Sequence, residues 1–159
     1  MTVRLRTTSS AATKALAGVV AGHVRAGDLL LLVGELGAGK TTFAQGFARG
    51  LGIDEPVTSP TFTLARTYPG RLPMNHVDVY RLDRMAEVGD LALSELIDSN
   101  GVTLIEWGDA ILAALPPAYL EVQLELGDEP DDRAIALRAV GQGWQARLPL
   151  LAAKLEPWR

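Results

Sequence analysis

No cysteine occurs among the 159 residues. Disulfides and thiolate metal sites are therefore excluded, and nothing demands an oxidising compartment. A basic excess is also missing: 15 Lys and Arg stand against 19 Asp and Glu, a formal net charge of −4. Arg4, Arg6, Arg71, Arg81 and Arg84 are scattered, with no dense basic run. That pattern weakens tight nucleic-acid binding by this chain alone and leaves room only for a local basic patch. No apolar run approaches the ~20 residues that a membrane span needs. The opening "MTVRLRTTSS" lacks the apolar segment of a secretory signal. Internal repeats and low-complexity linkers are absent too. What remains is 48% hydrophobic and 21% charged, the balance of one globular domain over residues 1–159. The expected location is cytoplasmic.

Periodicity sketches an α/β chain. "TVRLRT" alternates like a short strand. Ser9 or Ser10 can cap a helix reaching about Ala21, with Ala15, Leu16, Val19 and Val20 on its buried side. "LLLLVG" is an apolar strand of the kind buried on both faces of a parallel sheet. A glycine-rich turn follows, then a helix over Thr41–Ala48 that stops at Gly50 and Gly52. "VTSPTFTLARTY" and "LPMNHVDVY" read as loop, strand and hairpin partner around "PGR", an antiparallel insertion. A helical stretch covers Glu87–Ile97, "VTLIEW" is a strand, and "GDAILAAL" is a short helix stopped by Pro116 and Pro117. "YLEVQLEL" and "RAIALRAV" form a second hairpin about the acidic turn "GDEPDD". The end, "WQARLPLLAAKLEPWR", reads as helical. The expected fold is a mainly parallel central sheet with antiparallel hairpin additions and helices on both faces.

"GELGAGKT", Gly34 to Thr41, matches G-x-x-x-x-G-K-[ST] in full, between an apolar strand and a helix. Gly34, Gly37 and Gly39 permit the turns that aim backbone N–H groups at an anion. The helix start adds positive potential. Lys40 is placed to reach the β- and γ-phosphates, Thr41 to ligate Mg²⁺, and Thr42 to offer a hydroxyl near the α-phosphate. Guanine specificity normally needs N-K-x-D, which is absent. "DSNG", Asp98 to Gly101, is a literal D-x-x-G, but it precedes a strand and reads as a turn. ATP is the expected nucleotide.

Chemistry at such a loop also needs an acid at the end of a neighbouring apolar strand. Glu106 ends "VTLIE", the more apolar candidate, and is assigned to Mg²⁺. Asp78, in "NHVDVY", takes a second role at the γ-phosphate or its attacking water. His76 reads as a hydrogen-bonded structural histidine before a catalytic base. Arg81 is equally suited to a phosphate, a partner or a solvated ion pair. Trp107 is open between packing, walling the site and binding a partner. The hydroxyl-rich "TSPTFTL", Thr58 to Leu64, lies where P-loop proteins place a phosphate-sensing segment.

Taken in order, "GELGAGKTTF", "VTSPTFTL", "HVDVYRL" and "VTLIEWGD" resemble the TsaE family, formerly YjeE. The match runs from about Leu29 to Asp109, some half of the chain. The resemblance implies a P-loop fold, ATP binding, and weak hydrolysis stimulated by partners. It implies action with TsaB and TsaD in forming threonylcarbamoyladenosine at position 37 of tRNA, the tRNA being held chiefly by those partners. Carried over by position, Thr41 and Glu106 match the magnesium site, Asp78 an acid beside the nucleotide, and Lys40 the phosphate lysine. Gly37, Ala38, Gly39, Lys40, Thr41 and Thr42 match the phosphate cradle. Ser10 falls at a nucleotide-contacting position where the family usually has an acid, and Arg133 matches an arginine reaching the nucleotide. Two other classes fit a bare phosphate loop. A small-molecule kinase would need an arginine-bearing lid, for which Arg71, Arg81 and Arg84 are the candidates. A non-catalytic nucleotide sensor would need none.

Overall fold

Five consecutive aliphatic residues, Leu29–Val33, make the strand at the centre of the sheet, because only a strand covered on both faces can hide such a run. The computed structural model describes residues 1–58, 65–78, 95, 97, 100–106 and 116–159. In chain order the strands are β1 (Thr2–Thr7), β2 (Leu29–Val33), β3 (Ala65–Tyr68), β4 (Met74–Asp78), β5 (Val102–Glu106), β6 (Tyr119–Leu126) and β7 (Arg133–Val140). The helices whose whole span is described are α1 (Ser10–Ala21), α2 (Lys40–Gly50) and α3 (Gln142–Lys154), with a final 3-10 turn at Glu156–Trp158.

The seven strands form one sheet in the order β1-β7-β6-β2-β5-β4-β3. The four central strands, β6-β2-β5-β4, run parallel. Both expected hairpins flank them as antiparallel additions, β3 on β4 and β7 on β6, and β1 pairs antiparallel with β7 at the edge. Strand chemistry follows position. β5 is buried throughout, whereas β1 alternates, sending Val3, Leu5 and Thr7 inward and Arg4 and Arg6 outward.

The larger core joins one sheet face to α1, α2 and α3. It contains Leu30, Leu32, Leu104 and Leu137 from the strands and Leu16, Phe43, Phe47 and Leu148 from the helices. The opposite face of the parallel strands buries Leu29, Leu31, Val77 and Ile105 with Ile97. Of the helix expected over Glu87–Ile97, the described residues are Glu95 and Ile97, both helical. The expected helix in "GDAILAAL" lies outside the described residues. Among the described residues, no helix is long and apolar enough to cross a membrane.

Side by side, α1 and α2 pack without intervening side chains. A Cβ on Gly46 would stand 2.4 Å from Lys14 Cα, and one on Gly50 2.9 Å from Gly18 Cα. Both contacts advance by four residues in the same sense, so the helices run in parallel. Their N-termini, at Ser10 and Lys40, therefore come to the same end of the molecule.

A phosphate loop above paired strand ends

The carboxyl ends of β2, β5 and β4 lie abreast. Leu32 pairs in register with Glu106, and Glu106 with Asp78. This is the end at which open α/β sheets bind ligands. Directly after β2 the chain enters Gly34–Gly39. Gly34 lies so close to β6 that a Cβ would stand 2.6 Å from Leu124 O. Gly39 takes φ +105° as the residue before α2, a conformation that strains other L-residues. No side chain caps α2 there, so its first N–H groups stay available to an anion.

Lys40 is buried, and its ammonium folds back along the loop. Nζ donates to Gly34 O at 2.5 Å and to Glu35 O at 2.9 Å. Thr41 and Thr42 stand half-buried in the first turn of α2. Arg133, at the start of β7, reaches the loop from the other side. Its Nε donates to Ala38 O at 3.0 Å and Nη2 to Gly37 O at 3.4 Å, while Nη1 holds Pro130 O and Asp132 O at 2.7 Å. One guanidinium thus ties the acidic hairpin turn to the glycine loop. Ser10 begins α1 at the same end, and Ser9 rather than Ser10 caps that helix, accepting from Ala12 N at 3.0 Å.

Glu106 is 2% exposed and His76 fully buried. Strand alternation sends Glu106, His76 and Asp78 to the face that α2 covers, alongside Met74 and Leu104. His76 Nε2 lies 2.5 Å from Glu106 Oε2. Among the described residues the Glu106 carboxylate has no further hydrogen bond. An ionised carboxylate offers about four acceptor positions, so most of its capacity is unused among the described residues. No group of three or more His, Cys, Asp or Glu assembles into a metal cage among the described residues. That donor set fits Mg²⁺, which takes one or two carboxylates and fills its remaining positions with phosphate oxygens and water. Thr41, on the loop side, would supply the hydroxyl.

Lys40, Thr41, Thr42, Glu106, Asp78 and Arg133 therefore converge on one end of the sheet, and Ser10 stands on the neighbouring helix. Of the sequence candidates, Arg71 does not join them. It donates from Nη2 to Ala21 O at 2.8 Å and from its backbone N to Leu51 O at 2.7 Å, at the C-terminal ends of α1 and α2. Arg81, Arg84 and Trp107, and the phosphate-sensing segment beyond Thr58, lie outside the described residues. His76, for which the sequence favours a hydrogen-bonded structural role over that of a catalytic base, has as its partner the metal candidate itself. The signal was present: aligning the two acids that end "NHVD" and "VTLIE" puts His76 on the same face, one strand across from Glu106.

Strand, glycine loop, uncapped helix start with a buried lysine, and acids on adjacent parallel strands define a P-loop protein of the nucleotide-binding class. Comparison with known proteins narrows the class. The family model described as "Threonylcarbamoyl adenosine biosynthesis protein TsaE" matches residues 7–135. Two relatives, each named tRNA threonylcarbamoyladenosine biosynthesis protein TsaE, are similar over most of their length. The one from Bacillus subtilis is 43% identical over 144 residues, covering 90% of this chain and 89% of its own. The one from Treponema pallidum is 43% identical over 110 residues, covering 69% and 82%. The crystal structure of YdiB from Bacillus subtilis superposes with a TM-score of 0.85 at 38% identity, over 97% of this chain and 96% of that one. The chain belongs to the TsaE family.

Proposed function

We propose that this chain is the ATP-binding and ATP-hydrolysing subunit of tRNA N6-threonylcarbamoyladenosine formation at position 37. It works in the cytoplasm as one domain with TsaB and TsaD homologues, and its hydrolysis supports turnover of the transferase they form. The observation that carries this reading is the row Leu32–Glu106–Asp78 beneath the loop that buries Lys40. Such a row supplies what phosphoryl transfer asks of a protein, namely positioning and charge.

In this reading the amides of Gly37 to Thr42 cradle the phosphates. Lys40 exchanges its two loop carbonyls for the β- and γ-phosphates. Thr41 and Glu106 hold Mg²⁺, which when bound neutralises charge developing on the phosphate oxygens. Asp78, beside Glu106 in register, orients the γ-phosphate or the attacking water. Arg133 steadies the loop and extends to the nucleotide, and Ser10 lines its approach. Hydrolysis is weak alone, because completing the site falls to the partners. The net charge of −4 suits a subunit that meets tRNA through the complex.

The test is phosphate release from ATP, with and without the cognate TsaB–TsaD pair and tRNA. Strong stimulation is expected. A phosphorylated small molecule in place of free phosphate would identify a kinase, and slow turnover unmoved by the partners would identify a nucleotide sensor. Of the lid arginines a kinase would need, Arg71 is tied to Ala21 O at the far end of α1.

A further inference from the structure

We infer that His76 is a positioning residue for the metal carboxylate: it pins one oxygen of Glu106 and turns the other toward the phosphate loop. The inference rests on the proposed role of Glu106 at Mg²⁺ and extends it to a fully buried neighbour. A carboxylate only accepts, so the proton of the 2.5 Å contact sits on His76 Nε2 and is donated to Oε2. His76 is fully buried, and its other nitrogen, Nδ1, has no partner among the described residues. A histidine placed only for stability would normally satisfy both nitrogens, because an unpaired buried polar atom costs free energy. Here every hydrogen bond of the ring serves Glu106.

The geometry also restricts the carboxylate. Neighbouring strands lock the backbone of Glu106 between Leu32 and Asp78. What remains free is rotation of the side chain about its own bonds, and the bond to Oε2 removes it. Freezing a long side chain before a ligand arrives spares that ordering cost at binding. Partners of metal ligands commonly act in this way.

The experiment is Mn²⁺ binding to the full chain loaded with a non-hydrolysable ATP analogue, read by electron paramagnetic resonance, beside nucleotide affinity in EDTA. His76→Leu removes the donor, His76→Asn moves it out of reach, and His76→Gln returns an amide N–H near the Nε2 position. Leu and Asn variants are expected to bind Mn²⁺ about tenfold more weakly, with nucleotide affinity in EDTA unchanged, and His76→Gln to stay near wild type. Adding His76→Leu to Glu106→Gln is expected to cause no further loss. Wild-type Mn²⁺ affinity in a folded His76→Leu or His76→Asn, or His76→Gln as weak as Leu, overturns the inference. If Glu106→Gln alone leaves Mn²⁺ binding intact, it is the metal assignment that fails instead. Nitrogen-15 NMR of the wild-type ring supplies a check that needs no variant: Nε2 must carry hydrogen with the metal–nucleotide complex bound, and a ring protonated only at Nδ1 overturns the inference.

Discussion

Two carboxylates stand at opposite ends of the parallel strands, Glu106 buried and Asp28 half-buried, and they are treated in opposite ways. Asp28, just before β2, accepts from Arg147 Nη2 at 2.7 Å on one oxygen, and from Arg147 Nη1 at 2.8 Å and Arg25 N at 2.7 Å on the other. Arg147 in turn lies 3.9 Å from the centre of the Trp144 ring and donates to His23 O. Glu106, at the other end, is more deeply buried, with 3% of its side chain exposed against 13% for Asp28, yet it has one hydrogen bond. The more buried acid is thus the less satisfied one, the reverse of what stability alone would select. The number of donors separates the structural acid from the functional one. Backbone follows suit: the Asp28 end is stitched by Gly27 N to Gly101 O, Val102 N to Pro73 O and Thr103 N to Asp28 O. A carboxylate taken out of water and left mostly unpaired is costly unless a cation completes it.

The contrast breaks most visibly at Lys40. Lys40→Ala is expected to lower partner-stimulated hydrolysis by about 1000-fold, the upper range for losing one preorganised donor, with a thermal melt within a few degrees of wild type. Phosphate release and calorimetry measure the two sides. Next in size is Asp28→Ala, which strands Arg147 and should cost about 3 kcal/mol of stability in urea titration, with hydrolysis per folded molecule unchanged. Glu106→Gln should do the reverse. Magnesium-dependent hydrolysis falls about 100-fold, while stability holds or rises as a poorly paired charge is removed. If Glu106→Gln unfolds the chain as readily as Asp28→Ala, the two ends are alike and the functional reading of the single-donor carboxylate falls.

Much of this was legible in sequence, and the reason differs from part to part. The phosphate loop could be read because its chemistry is local: Gly34, Gly39 and Lys40 act through backbone within a few residues of themselves. The run Leu29–Val33 announced a central strand because five aliphatic residues admit no exposed face. Alternation in "YLEVQLEL" gave a strand and a hairpin, but it could not say that β6 also pairs with β2 and so welds the antiparallel half to the parallel half. Periodicity describes faces, and strand order is set by long-range packing. For the same reason Asp28 and Arg147 were invisible as a pair until α3 docks, and the contact of Arg133 with the loop depends on β6 lying between β2 and β7.

The smallest effect tests how far the functional end extends. Two helices begin there, and they begin differently. Ser9 caps α1, its Oγ accepting from Ala12 N at 3.0 Å and its carbonyl from Thr13 N at 3.1 Å, whereas α2 starts at Gly39 with no side-chain cap. A capped start has already given its N–H to the protein; an uncapped one keeps it for a ligand. Ser9→Ala should therefore cost about 1 kcal/mol, a fall of about 3 °C in melting temperature for a chain of this size. Nucleotide affinity, measured by titration with a fluorescent ATP analogue, should stay within about twofold, since Ser9 serves only α1. A tenfold loss would mean that the Ser9 cap itself orders the start of α1, and Ser10 with it, for the nucleotide.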